Sequence, residues 1–363
     1  MMIEVDGRMP AYDAVPLAYK EIGICAVQMN PKPVDCKHPK DGIKVNLEHM
    51  LLLLDAAAAS PLRKPNLLVF PEFTLTGWDL IWTLKDWLNV AIELPGEETE
   101  AIGKKARDLN CYVVFAVHTK DKDWPGHYFN TSVIVDPNGE VIHKHWKAYA
   151  VGPGFEWGTT VHDVLDEFVQ RYGWDAVWPV ARTPIGNLAT YICSEGAAPE
   201  TARAFTFKGA EILCRCIGGG GKENRAGKWP LQFRADCAAN QVYGIYSNGG
   251  SGATFKGLRI ENGSGGSSMV VDPNGRIMNE ATDSRETLIN GAIPIELFRE
   301  QHDRPTIRTE IYAPVLEHYP GKYPPNMYSD YGVPNDWNDA TKLARENARW
   351  DDTHRYPGKE LDT

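Results

Sequence analysis

Two features of the 363-residue sequence predict a two-sheet sandwich with helices on its outer faces. Short apolar runs alternate with amphipathic stretches along the chain, the rhythm of layered α/β structure. A strand–turn–strand segment also occurs twice, as Asn130-Thr131-Ser132-Val133-Ile134-Val135-Asp136-Pro137-Asn138-Gly139 and as Ser267-Ser268-Met269-Val270-Val271-Asp272-Pro273-Asn274-Gly275. In both, Asp-Pro-Asn-Gly between β-rich runs specifies a tight hairpin, because Pro fixes one turn position while Asn and Gly accept positive φ. Two similar halves, each a sheet ending in a hairpin, imply two packed sheets.

The elements follow in order. Residues 22–29 read as a strand, 45–59 as a helix and 66–70 as a second strand. A charged helix over 97–109 feeds a strand at 111–118, and 131–135 enters the first hairpin. The second half repeats the scheme, with strands at 188–193, 211–217 and 242–247 and helices at 199–208 and 226–240. Beyond residue 300 the texture changes: aromatic residues and prolines dominate 312–337, which predicts an extended arm lying on another surface, such as a second subunit. Three regions result: an irregular extension over 1–20, the main domain over 21–300 and an aromatic, proline-rich C-terminal arm over 301–363.

Composition narrows the function. A formal net charge of -10 argues against nucleic acid and anionic membranes as partners, since both need clustered cations, and favours a small-molecule substrate. The longest apolar run, residues 50–59, reads as a helix flank and is far short of a membrane span. The first residues lack the basic and apolar regions of a signal peptide, so the expected location is the cytoplasm. Seven cysteines, an odd number without the spacing of a disulfide framework, fit a reducing compartment.

One cysteine stands apart. Cys193 lies where a buried strand ends and a turn into a helix begins, an exposed position beside a helix N-terminus that favours thiolate over inert thiol. A cysteine nucleophile needs a base for its proton and a positive group for the oxyanion it creates. Glu72, in Val69-Phe70-Pro71-Glu72-Phe73, sits where Pro71 stops a strand; most such glutamates are simply solvated loop acids. His143-Lys144-His145-Trp146-Lys147 places two lysines after the first hairpin, where the bland reading is an edge strand protected by charge.

These segments together resemble the nitrilase superfamily of carbon-nitrogen hydrolases over roughly residues 20–300, most closely its aliphatic amidase and formamidase branch. The stretch Ile192-Cys193-Ser194-Glu195-Gly196-Ala197-Ala198-Pro199-Glu200, then Arg203 and Lys208-Gly209-Ala210-Glu211-Ile212-Leu213-Cys214-Arg215, carries the resemblance. It implies a four-layer αββα sandwich and a homo-oligomer built from dimers. It implies Cys193 as nucleophile, Glu72 as general base and Lys147 as oxyanion-stabilising lysine, with Lys144 the competing lysine. Glu156 fits a second glutamate that positions substrate, although its spacing from Lys147 is one residue longer than usual. The implied reaction cleaves the carbon-nitrogen bond of a small amide through a cysteine thioester, with the backbone N–H of Ser194 as second oxyanion donor and no metal or organic cofactor. Phe73, Trp146 and Trp157 flank these residues and suggest an aromatic-walled pocket for a short acyl group.

Alternatives stay open at this point. Nitrile hydrolysis would use the same residues, and N-carbamoyl amide cleavage is a third option; Ser194-Glu195 after the cysteine, where nitrilases commonly carry Trp-Glu, favours the amide. A non-catalytic assembly module is the non-enzyme alternative. His118, His143 or His145 could form a papain-like pair with Cys193, but nothing supplies the orienting third residue. Gly218 to Gly221 with Lys222 suggests a phosphate loop, yet Glu223 stands where Ser or Thr belongs, and a mobile loop near the pocket is the better reading. Cys214 and Cys216 read as core thiols. Glu195 either contacts substrate or caps the following helix.

Overall fold

The structure is a computed structural model that describes residues 12–61, 63–79, 81–150, 156–219, 228–249, 253–255, 258–260, 265–302 and 305–350. The first half contains β1 (Ile22–Gln28), α1 (Pro39–Ala58), β2 (Leu67–Val69), α2 (Leu84–Val90), α3 (Glu97–Leu109), β3 (Tyr112–Thr119), β4 (Phe129–Val135), β5 (Val141–Trp146) and α4 (Leu165–Tyr172). The second contains β6 (Ala181–Thr183), β7 (Gly186–Ile192), α5 (Pro199–Phe207), β8 (Ile212–Ile217), α6 (Lys228–Asn240), β9 (Tyr243–Asn248), β10 (Ala253–Phe255), β11 (Leu258–Ile260), β12 (Met269–Val271), β13 (Ile277–Glu280) and β14 (Thr287–Ile293). Among the described residues four helices follow: α7 (Ile295–Gln301), α8 (Thr309–His318), α9 (Met327–Tyr331) and α10 (Trp337–Asn347).

The repeat seen in the sequence extends to whole sheets. One has the order β14-β1-β2-β3-β4-β5, the other β13-β12-β9-β8-β7-β6, while β10 and β11 form a separate two-stranded ribbon. In the first, β1, β2 and β3 run parallel and β4 and β5 follow antiparallel. The second repeats this with β7, β8 and β9 parallel and β12 and β13 antiparallel. An extra antiparallel strand covers the open side of each, β14 on β1 and β6 on β7. Both hairpins close alike: Asp136 and Asp272 accept backbone N–H groups from their own turns, and each pair carries a bulge. Gly139 and Gly275 take positive φ (84° and 75°), whereas neither Asn does, so the turn needs only its glycine in the left-handed region.

The parallel strands are buried along their whole length, as expected for strands covered on both faces. Ile24, Ala26, Val69 and Val114 meet Leu188, Ile212, Cys214 and Ile245 between the sheets. The outer face of the first sheet packs under α1 and α3 through Met50, Leu54, Ile102 and Ala106, and that of the second under α5 and α6 through Ala202, Phe205, Phe233 and Cys237. This is the four-layer αββα sandwich. All seven cysteines are free, with Cys214 and Cys216 in the core between the sheets.

The C-terminal segment departs from expectation. It is not a plain extended arm but carries α8, α9 and α10, because Pro320, Pro324, Pro325 and Pro334 fall in the connections and only Pro314 lies inside a helix. Part of it folds back on the sandwich: Tyr328 donates its hydroxyl to the Trp157 carbonyl (3.0 Å), and the Leu84 N–H bonds the Asn335 carbonyl (2.7 Å). The described part of the N-terminal extension, residues 12–20, has no regular element.

Candidate active site

Three chain breaks at strand ends meet at one point. Glu72 follows β2, Lys147 follows β5 and Cys193 follows β7. Two of these stops are sharp. Cys193 itself has φ 47° and Phe73, next to Glu72, has φ 60°, conformations that non-glycine residues rarely adopt and that hold the side chains before and at the bend in fixed directions.

Glu72 and Lys147 are fully buried side by side, with Lys147 Nζ donating to Glu72 Oε1 at 3.4 Å and to Glu156 Oε2. Asn130 bridges the two acids, its amide donating to Glu72 Oε1 at 2.7 Å and Glu156 Oε1 at 2.9 Å. The other Glu72 oxygen accepts the Gly218 N–H at 2.8 Å. The Cys193 thiol is a further hydrogen-bond partner of Glu72. Glu72, Lys147, Glu156 and Cys193 therefore form one cluster, although the loop residues 151–155 between Lys147 and Glu156 lie outside the described residues.

Electrostatics sets the resting protonation. Burial raises the Glu72 carboxyl above the ordinary range, partly offset by the Lys147 cation. Burial alone would weaken the Lys147 charge, but Glu156, Glu72 and Cys193 more than offset it and hold the ammonium above its usual pKa. The Cys193 thiol is pushed well up, first by burial and then by Glu72. The expectation of a thiol lowered by a helix N-terminus is thus corrected. Cys193 is half-buried, the turn after it is a single 3₁₀ turn (Cys193–Ala197), and α5 starts only at Pro199. At rest the thiol is protonated and Glu72 is its acceptor. Handing that proton to Glu72 leaves the cluster's net charge unchanged, whereas releasing it to solvent would bury a second uncompensated anion.

The remaining sequence candidates separate cleanly. Lys144 is exposed on the outer face of β5, which leaves Lys147 as the lysine of the cluster. Trp146 lies on the opposite face of the strand from its neighbour Lys147, because successive side chains alternate; its ring stacks on Phe129 at 4.1 Å beside Trp124 and Phe168. It does not line the cluster. Phe73 stacks on His118 (5.0 Å), His118 adjoins Trp87 (4.3 Å), Trp87 stacks on Tyr128 (5.1 Å) and Tyr128 meets Trp157 edge-on (5.6 Å). Phe73 and Trp157 both belong to this continuous aromatic wall. Ser194 is buried in the turn, adjacent to the thiol.

Glu195 is fully buried. Its carboxylate accepts from the Ala148 N–H (2.6 Å), the Ile192 N–H (2.7 Å) and His145 Nε2 (2.9 Å), which ties the segment after Lys147 to the turn of Cys193. None of these bonds reaches α5, which has no side-chain cap, so the carboxylate ties two strand ends together rather than capping the following helix. The histidines are also interior rather than surface groups. His118 and His143 are buried and pushed down to about 3, first by burial, so both are neutral imidazoles near neutral pH. Among the described residues no group of three or more His, Cys, Asp or Glu is placed to hold a metal ion. Of the glycine loop, 220–222 lie outside the described residues, while Gly218 serves Glu72 directly.

Sequence reasoning missed Asn130 and Gly218. The first hairpin holds the signal for Asn130, whose carbonyl accepts the Lys147 N–H at 2.9 Å. Counting back from the turn places Asn130 opposite Trp146, one residue off, because the bulge between Ile134 and Val135 shifts the register.

The fold and these strand-end residues define a hydrolase-type αββα sandwich, and comparison with known proteins agrees. The sequence model of the carbon-nitrogen hydrolase family matches residues 24–303, and the chain belongs to that family. A formamidase of Helicobacter acinonychis is 27% identical over 227 residues, 62% of this chain and 61% of that protein. A formamidase of Bacillus cereus is 32% identical over 185 residues, half of each chain. The chain thus spans about half to three-fifths of the length of these curated relatives. Among solved structures, an amidase of the nitrilase superfamily from Nesterenkonia AN1 superposes with a TM-score of 0.60 at 20% identity, over 81% of this chain and 97% of that one. The same amidase in complex with acrylamide superposes with a TM-score of 0.59 over 84% of this chain.

Proposed function

We propose that the protein hydrolyses the carbon-nitrogen bond of a small aliphatic amide, giving the carboxylic acid and ammonia through a thioester on Cys193. The observation that carries this reading is the linked set of buried Glu72 and Lys147 with partly exposed Glu156 around the Cys193 thiol. The formamidase relatives support the substrate class, as do the Nesterenkonia amidase mutants in complex with acrylamide and with butyramide.

Cys193 sulfur attacks the amide carbon while its proton passes to Glu72, so a sulfur-carbon bond forms and the carbonyl becomes an oxyanion. Lys147 Nζ and the Ser194 N–H stabilise that charge; loss of one such donor costs about 3–4 kcal/mol. Glu72 returns the proton to the amine, the carbon-nitrogen bond breaks and ammonia leaves. Water then attacks the thioester carbon and delivers a proton to Glu72; the carbon-sulfur bond breaks, Glu72 passes that proton to the Cys193 sulfur and the acid departs. Glu156, held between Lys147 and Asn130, positions the amide group.

Ammonia release measured on an amide panel and a nitrile panel tests this. Turnover of short amides, abolished in Cys193→Ala with a trappable acyl-enzyme in the parent, is the expected result. Activity confined to nitriles or N-carbamoyl compounds, or amide turnover surviving in Cys193→Ala, overturns it.

We further propose a cytoplasmic homo-oligomer whose C-terminal region contributes to the subunit contact. No helix among the described residues is long and apolar enough to cross a membrane. Helix α8 buries none of its residues and exposes Ile311, Tyr312, Val315 and Leu316. Sedimentation of the chain truncated before residue 303 checks this: a smaller assembly supports it, an unchanged one refutes it.

A further inference from the structure

Behind the nucleophile lies a cation with an unusual environment. Arg215, on β8, is 0% exposed, and its guanidinium faces the rings of Trp229, Tyr191 and Tyr246 at 5.4–5.7 Å. Among the described residues no carboxylate lies within ion-pair distance of it. Instead Nε and Nη2 both donate to one acceptor, the backbone carbonyl oxygen of Cys193, at 3.1 and 2.7 Å. Burying a full charge against three rings and one carbonyl, with no carboxylate in ion-pair contact, is costly in folding terms, so stability alone does not explain the arrangement.

The geometry points to Arg215 as the positioning residue of the oxyanion site. In a trans peptide the C=O and N–H point in opposite directions. A fork that grips the Cys193 carbonyl therefore fixes the plane of the Cys193–Ser194 peptide and aims the Ser194 N–H away from Arg215. The peptide needs such a grip because Cys193 sits at φ 47°, where an L-residue left to itself readily relaxes. Gly196 completes the seat: a Cβ there would lie 2.3 Å from the guanidinium carbon, so only glycine admits Arg215 to this position. Arg215 touches neither substrate nor thiol; it acts through the peptide it holds.

This inference rests on Cys193 being the acyl-accepting nucleophile. The test separates two reactions of the same sulfur. Acyl transfer from an amide builds an oxyanion and needs the aimed N–H; alkylation by iodoacetamide displaces iodide from carbon and builds none. In Arg215→Lys, which keeps the cation but not the fork, and Arg215→Met, kcat and the acylation rate should fall about 10- to 1,000-fold with KM within a factor of about two. Alkylation of Cys193 should stay within about threefold of the parent. Gly196→Ala, which displaces the guanidinium without removing it, should reproduce the pattern if an arginine variant does not fold. Unchanged kcat in the folded variants, or equal losses in acylation and alkylation, overturns the inference. A parent enzyme that is alkylated at Cys193 but acylated by no amide overturns the proposed function instead.

Discussion

The backbone N–H of Gly218 donates to Glu72 Oε2 at 2.8 Å, and a Cβ at Gly218 would lie 2.5 Å from the Phe73 ring and 3.0 Å from that same oxygen. The end of β8 is thereby moulded around the base at the end of β2. Gly218→Ala must push Phe73 or Glu72 aside, and displacements near 1 Å at a reacting group cost about 10²-fold in rate. We expect a folded variant with kcat reduced by about that factor. Circular dichroism and steady-state kinetics together check it; full activity would show that the glycine is only incidental.

Asn130 gives the acid limb of the pH profile its position. Its amide lowers the Glu72 pKa by donating to the carboxylate, against the larger upward push of burial. Glu72 must be unprotonated to accept the thiol proton, so activity is lost as pH falls through a value above the ordinary carboxylate range. Asn130→Leu removes the donor, raises that value further and moves the acid limb of kcat/KM to higher pH. A limb that stays in place, or shifts to lower pH, would falsify the assignment of Glu72 as base.

Glu195 joins the lysine segment to the cysteine turn through three bonds to two different strand ends. Glu195→Gln keeps one acceptor oxygen and turns the other into a donor facing backbone N–H groups. The expected loss is about 1–3 kcal/mol in unfolding free energy, with activity reduced in parallel because Lys147 and Cys193 lose their common anchor. Urea unfolding measures the first and ammonia release the second. A variant as stable as the parent but inactive would return Glu195 to a direct role with substrate.

Much of this arrangement was visible in the residues themselves, for reasons that also explain the gaps. Strands covered on both faces appear as uninterrupted apolar runs, and Asp-Pro-Asn-Gly fixes a hairpin locally, so the halves and their strand ends could be placed. Cys193, Glu72 and Lys147 stand at those ends and were found there. What stayed hidden depends on contacts distant in sequence. The pairing of β14 with β1 joins residues more than 250 apart, and its alternation of half-buried positions gives no strong apolar run. The aromatic character of Trp146 suggested a pocket wall, but its direction follows from the strand it shares with Lys147. The partial burial of Cys193 is likewise a property of packing. It reversed the expected shift of the Cys193 pKa while keeping its place in the cluster.

Asp236 on α6 provides a pH-dependent test of the packing behind the nucleophile. Burial pushes its carboxyl up to about 7, with Arg215 opposing the shift. In the unfolded chain the same group titrates near 3.8, so between those values the folded state holds a proton that the unfolded state has lost. Stability from this group is therefore full at low pH and declines as pH rises from about 4 to 7, by on the order of 3–4 kcal/mol. Asp236→Asn removes the titration while keeping the shape. The variant should gain on the parent progressively over that range and be more stable at pH 8 than the parent, with the two nearly matched at pH 4. Unfolding midpoints of both proteins across pH 4–8 measure the difference directly. A constant difference at every pH would mean that Asp236 ionises normally, and that the guanidinium beside it compensates the buried charge in full.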